Sequence, residues 1–401
     1  MNNQERNIVN SESTLQRSLE GWHNIKAWLS RNLKGDIAIW VIVAILSLIS
    51  MLLVYSATGT FAYQRGGGYP EVYLLKHLGY IAFGLFVMWV VHRVNYVKFS
   101  RLSRFALLIS IPLLLLVKVA GVTLNGATRW LAIPGIGITF QPSDFARLAL
   151  IANLAAMLAK RQRVQYDWQM FVKMISWVGI ICFFIALTST STAVLLGFSC
   201  LLMLYIGRVP VKYLMAMFVV IALMGALGLV VGQRYETAKG RVEKFLHKND
   251  KAKQGTARLG QSEQGFIAIA NGGTFGQGPG NSHQRNYLSQ AYSDFIYATI
   301  IEEYGLLGGI VIMLLYATLL IRGIQNINQT NRAFGGLLSA GLTLSIGLQA
   351  FTNMAVAVGI FPVTGQPLPL LSMGGTSILF TCISLGIILS VSRGEADESN
   401  L

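Results

Sequence analysis

Near-continuous apolar blocks run at about Ile37–Ala57, Val72–Val91, Phe105–Ala120, Pro142–Lys160, Trp168–Leu187, Thr192–Ile206 and Tyr213–Gly232. Three more begin near Asp294, Phe334 and Gly374. Blocks of this kind have the length of membrane-crossing helices, so the pattern predicts an all-α polytopic membrane protein with ten transmembrane helices. Pro142 opens the fourth block, a position where proline costs nothing because that amide has no partner inside the helix. The polar turn TSTS alone separates the fifth block from the sixth, whereas Gln233 to about Ala291 forms one long loop between the seventh and eighth.

Composition supports this class. Hydrophobic residues make up 53% of the chain and charged residues 12%, where a soluble domain carries about 25% charged. The net charge of +15 would suggest nucleic acid in a soluble protein; here much of it sits in short loops, where topology accounts for it and no nucleic-acid partner is expected. Lysines and arginines crowd the segments on the side of the N-terminus, for example Arg93, Lys98, Arg101, Arg104, Lys160, Arg161 and Arg163, while the short loops opposite hold only Arg65 and Arg129. Both termini are therefore expected in the cytoplasm. The expected organisation is a cytoplasmic tail over 1–35, a membrane domain over 36–392 containing the extracytoplasmic loop 233–291, and a cytoplasmic tail over 393–401. Within the first tail, Trp22–Leu33 reads as a short interfacial helix. The long outer loop is basic, which fits either an anionic ligand at the membrane surface or a solvated charged loop. Cys182, Cys200 and Cys382 lie in apolar runs and read as buried small hydrophobes.

Ionisable groups inside spans cost roughly 2.5–3.5 kcal/mol each and usually face a bundle interior. Asp144 and Arg147 are three apart in the fourth span and share a helix face. Glu302 and Glu303 lie in the eighth span, and an interhelical salt bridge from Arg147 to one of them is the expected role of these groups. Asp294 opens that eighth span directly after the glycine-rich stretch GGTFGQGPG. A helix cap and a reactive carboxylate at the bilayer surface are both open readings of it. The glycine stretch lacks the Lys-Ser/Thr of a nucleotide-binding loop.

Four blocks carry a family resemblance over most of the chain: NGATRWL at 125–131, FQPSDFARLAL at 140–150, LSQAYSDFIYATIIEEYG at 288–305 and GQPLPLLSMGGTS at 365–377. Together they resemble the shape, elongation, division and sporulation family of peptidoglycan glycosyltransferases. GQGPGNSHQR at 276–285 resembles that family's glycine-rich approach to the site. The resemblance implies polymerisation of lipid II at the outer face of the bacterial cytoplasmic membrane, with undecaprenyl-diphosphate-linked glycan as the other substrate. It also implies work with a class B penicillin-binding protein and other division proteins. Asp294 falls on the family's essential aspartate and is the expected general base. Arg129, Lys244 and Arg285 are candidates for the leaving diphosphate, as is a divalent cation (Mg or Mn). The matched blocks add Gln141, Ser282, Gln284, Ser372 and Thr376 as substrate-binding candidates. The chain departs from the family pattern at Gln290, Tyr292, Thr128, Asp144 and Arg147, and TSTSTAVLL at 188–196 lacks the acidic residue of the corresponding family block. The N-terminal tail and the YSDFIYA wording favour the division branch over the elongation branch. A flippase or other transporter and a non-catalytic division scaffold are the rival classes; the first needs a polar path through the bilayer, and the second leaves Asp294 dispensable.

Overall fold

The structure, a computed structural model, describes residues 32–64, 70–124, 127–132, 139–161, 168–231, 235–246, 261–284 and 293–398. The interfacial helix expected at Trp22–Leu33 lies almost wholly outside them. The helices are α1 (Ile37–Gln64), α2 (Pro70–Val91), α3 (Val97–Ala120), α4 (Pro142–Arg161), α5 (Trp168–Ala186), α6 (Thr190–Ile206) and α7 (Val211–Val231). After them come α8 (Tyr235–Leu246), α9 (Gln261–Gly272), α10 (Ile296–Gln329), α11 (Ala333–Ala357) and α12 (Gly375–Glu398). The result is an all-α polytopic membrane protein in which, among the described residues, 8 helices are long and apolar enough to cross a bilayer: α1, α2, α3, α5, α7, α10, α11 and α12. Of the other two expected crossings, α6 is apolar but has 17 residues. α4 carries Asp144, Arg147, Lys160 and Arg161. Its small residues Ala146, Ala149, Ala152 and Ala155 are buried against other helices, and a helix that meets protein rather than lipid needs less apolar side chain.

α11 is the hub. It packs on α10, α4, α6 and α12. Its face can approach so closely because it is built from small side chains: a Cβ on Gly341 would stand 2.7 Å from the Met203 sulfur and 2.8 Å from Ile151. α3 starts eight residues before the apolar block does. Its first two turns are amphipathic, with Lys98, Arg101 and Arg104 exposed and Ser103 and Leu107 buried, as suits a helix end at a membrane surface.

Two connections differ from the loops expected. Residues 122–140 contain a small antiparallel sheet of β1 (Val122–Leu124), β2 (Ala127–Ala132) and β3 (Thr139–Phe140), with β2 in the middle. The pairs Thr123 with Thr128 and Leu131 with Phe140 set its register. The long loop contributes α8 and α9, both shorter than a crossing helix.

α10 is broken at Gly305, whose φ of 71° and ψ of −176° is a glycine-only conformation. The break strips helix partners from nearby backbone groups, and the glycine-rich stretch replaces them. Gln277 N donates to Glu302 O at 2.9 Å and Gly278 N to Glu303 O at 3.0 Å, while Leu306 N donates to Gly273 O at 2.9 Å. The contact is backbone on backbone: a Cβ on Gly276 would lie 2.3 Å from Glu303 O, and one on Gly305 2.2 Å from Thr274 O. This is why glycines recur here.

Candidate functional site

Asp294 stands just before α10, and α10 begins without a side-chain cap bond. The Asp294 carboxylate instead accepts from Ser293 Oγ at 3.1 Å. The cap role open in the sequence is therefore not what this side chain does. Its setting is assembled from four distant segments that meet at Gly365. A Cβ on Gly365 would stand 3.5 Å from Asp294 Oδ2, 3.8 Å from Arg129 Nη1 and 3.9 Å from Arg241 Nη2. Arg129 comes from the middle strand β2, on the face opposite Thr128 and Trp130 by the strand's period of two. Arg241 comes from α8 and donates to Thr364 O at 3.4 Å. Burial pushes the Asp294 carboxyl above the usual carboxylate range; the Ser293 bond and then the two guanidinium groups pull the other way without cancelling it.

The same two arginines line a cavity of about 580 Å³. Its walls are mostly apolar, including Val194, Phe198, Phe351 and Phe361. The TSTS turn, Thr188 to Ser191, adds hydroxyls. α8 faces this cavity with Ala238, Arg241 and Val242, spaced three and four apart on one side of the helix. Its outer side carries the exposed pair Lys239–Glu243 at 3.8 Å, which adds little to stability.

Amide side chains of α11 hold the segment around Gly365. Asn353 Nδ2 donates to Asp294 O at 2.9 Å and to Gln366 O at 2.8 Å. One turn earlier, Gln349 Nε2 donates to Pro367 O at 2.8 Å. Gln366 reaches across to Thr192 Oγ1 at 2.6 Å. Ser372 accepts from Leu368 N and donates to Ser293 O at 2.7 Å, so this candidate binder instead fixes the approach to Asp294. Gln141 bonds Ser143 at 2.9 Å, at the start of α4. Thr376 is buried in the first turn of α12.

The expected bridge between the fourth and eighth spans is not formed. Arg147 pairs with Asp144 at 2.8 Å on its own helix and donates to Gln349 on α11. Glu302 accepts from Ser282 Oγ, from His283 N at 3.1 Å and from Gln284 N at 3.2 Å, and Glu303 accepts from Ser56 on α1. Ser282 and Gln284 thus anchor the glycine stretch to α10 at Glu302, about two turns along the helix from Asp294, and are not among the residues that line the cavity. The side chain of Lys244, and residues Arg285, Gln290 and Tyr292, lie outside the described residues. Sequence reasoning missed Arg241, Gln349 and Asn353. The signal for the last two was available: two amides four apart, and so on one face, in a helix apolar enough to cross a bilayer.

Because Asp144 is buried, removing its partner leaves an uncompensated charge. Arg147→Ala is expected to cost roughly 3–5 kcal/mol of stability. That loss will be read as a lower melting temperature in detergent and lower membrane abundance. Normal stability with lost turnover would place Arg147 in the chemistry instead.

A multi-pass helical membrane protein in which two arginines stand between a buried carboxylate and an apolar cavity is the class that fold and site define. The chain belongs to the FtsW, RodA and SpoVE family of cell cycle proteins, whose model matches residues 36–397. It is 31% identical over 363 residues to a Coxiella burnetii protein described as "Probable peptidoglycan glycosyltransferase FtsW", covering 88% of this chain and 95% of that one. The rod shape determining protein RodA of Thermus thermophilus has the same fold, with a TM-score of 0.64 at 23% identity over 92% of this chain and 99% of that one. A chain from a structure titled "Structural coordination of polymerization and crosslinking by a peptidoglycan synthase complex" superposes with a TM-score of 0.67 at 23% identity, covering 90% of this chain and 99% of that one.

Proposed function

We propose that this protein is a peptidoglycan glycosyltransferase of the division (FtsW) type, polymerising lipid II at the outer face of the bacterial cytoplasmic membrane. The observation that carries the reading is the joining of the apolar cavity to Asp294 through Arg129 and Arg241. A polyprenyl diphosphate has the matching two parts. Its isoprene chain fits walls such as Val194, Phe198 and Phe351, and its diphosphate fits the two guanidinium groups. Attack of an acceptor sugar hydroxyl on the anomeric carbon releases a proton and a diphosphate. Asp294, made more basic by burial, takes the proton. Arg129 and Arg241 offset the charge that grows on the leaving group.

Among the described residues no three His, Cys, Asp or Glu side chains come together, and the charged neighbours of Asp294 are arginines. No step is assigned to a divalent cation.

In this reading the helices α1–α7 and α10–α12 make ten crossings, both termini are cytoplasmic, and α8 and α9 lie outside. The partner is a class B penicillin-binding protein that crosslinks the product. The test is polymerisation of purified lipid II by purified protein with its partner: long glycan strands are expected. A flippase would move lipid II between leaflets of a vesicle and make no polymer. Orientation is checked separately by thiol labelling, against a low background because Cys182, Cys200 and Cys382 are buried. A cysteine at Glu243 is expected to react with an impermeant reagent in spheroplasts and one at Asn328 is not. The reverse pattern would overturn the topology.

A further inference from the structure

We infer that Asn353 is a positioning residue for the reaction: its amide nitrogen ties Asp294 to the Gly365–Gln366 turn and so sets where the carboxylate stands relative to Arg129 and Arg241. The inference rests on the reading of Asp294 as the base. Three separate pieces of chain meet at this one nitrogen. Asp294 precedes α10, Gln366 lies between α11 and α12, and Asn353 is in the last turns of α11. The two carbonyl oxygens it holds, at 2.9 and 2.8 Å, belong to the residue that carries the carboxylate and to the neighbour of the glycine around which both arginines gather. Fixing those two oxygens on one atom fixes the base against the anion site.

The residue type follows from the task. Donating two hydrogen bonds from a single atom requires an NH₂ or NH₃⁺ group, and asparagine is the shortest side chain that has one. A serine hydroxyl donates once, and an aspartate would set a carboxylate against two carbonyls. Asn353 is buried, and its Oδ1 has no hydrogen-bond partner among the described residues. Both described bonds of this side chain are made by its donor end. A residue serving only to glue helices would more readily use both ends. Gln349, one turn away, does so, accepting from Arg147 and donating to Pro367 O.

Two variants test the role. Asn353→Gln keeps both donors but displaces them by one methylene. Asn353→Ser keeps one donor. For Asn353→Gln in the complex with its partner, kcat is expected to fall about 100-fold, with KM for lipid II changed no more than about 3-fold, because misplacement by about 1 Å costs rate rather than binding. The acid limb of its pH–rate profile is expected to move to lower pH as the carboxylate gains water. Asn353→Ser is expected to show the same shift in the protein that stays folded. A parental kcat in Asn353→Gln overturns the inference. So does a loss in Asn353→Ser that only tracks the folded fraction with an unmoved acid limb. Asp294→Asn run alongside separates the two levels: if it is inactive while Asn353→Gln turns over normally, only the positioning role falls, and if Asp294→Asn is active, the base and this inference fall together.

Discussion

Asp294→Asn is expected to abolish glycan polymerisation while leaving the protein folded. Asparagine keeps the size of the side chain and an oxygen that can accept from Ser293 Oγ. It removes only the ability to take a proton, a loss usually worth about 10²–10⁴ in rate. No helix cap is lost, because α10 starts without one, so melting temperature and binding to the transpeptidase are expected to stay near those of the parent. The parent's pH–rate profile carries the companion signature. A base works only when ionised, and burial raises the pKa of this one. Activity should therefore climb with pH through a midpoint above the ordinary value of about 3.9, and vanish below it. The measurements are lipid II polymerisation by the purified variant with its partner, and the parent's rate across the acid range. A folded Asp294→Asn protein working within a few-fold of the parent would remove Asp294 as the base and bring the scaffold reading back.

Gly305→Ala is expected to be the most damaging substitution in the membrane helices. The backbone at 305 lies where only glycine is comfortable, which alone costs an alanine about 1–3 kcal/mol. The added Cβ would also stand 2.2 Å from Thr274 O and 2.5 Å from Gly276 N. Those are backbone atoms of the docked glycine stretch and cannot rotate away. Relief requires undocking the stretch, which leaves Glu302 O, Glu303 O and the Leu306 amide without partners in an apolar setting, at about 1–3 kcal/mol for each buried group. Sharply reduced abundance and a large fall in melting temperature are expected. Gly240→Ala, in α8 with no heavy atom within 4 Å of its new methyl, serves as the control. Equal stability of the two variants would mean that the break in α10 is not held by the glycines.

The crossing helices were legible because apolar length is a one-dimensional signal; the observed starts at Ile37, Trp168 and Ala333 fall within a residue of the apolar blocks. α3 was misjudged at its start because Lys98, Arg101 and Arg104 end the apolar run although the helix continues through them. The sheet around Arg129 was invisible since its strands have three, six and two residues, too short for any period to register. At the site, Asp294 and Arg129 could be named from the chain. Their meeting could not, because it depends on Gly365 and on the turn of α8 that brings in Arg241. The buried charges misled for a related reason. Arg147 and the carboxylates of α10 look like natural partners in sequence, but opposite charge says nothing about which helices are neighbours. In the fold α4 packs on α3 and α11, and Gln349 takes the place offered to a glutamate.

The break at Gly305 also sets the depth at which the reaction stands. Twelve residues of straight helix would span about 18 Å, yet Tyr297 Oη donates to Gly309 O at 3.1 Å, so the first turns of α10 double back beside the rest of the helix. Asp294 follows them: its carbonyl meets Asn353 on α11 at 2.9 Å, and α11 runs beside α10 with Gly347 against Leu320. The carboxylate is thereby carried back along α10 toward its middle instead of standing out past its end. A lipid carrier presenting its diphosphate at that depth keeps its isoprene units in its own leaflet, and the sugar chain is pushed outward as it lengthens.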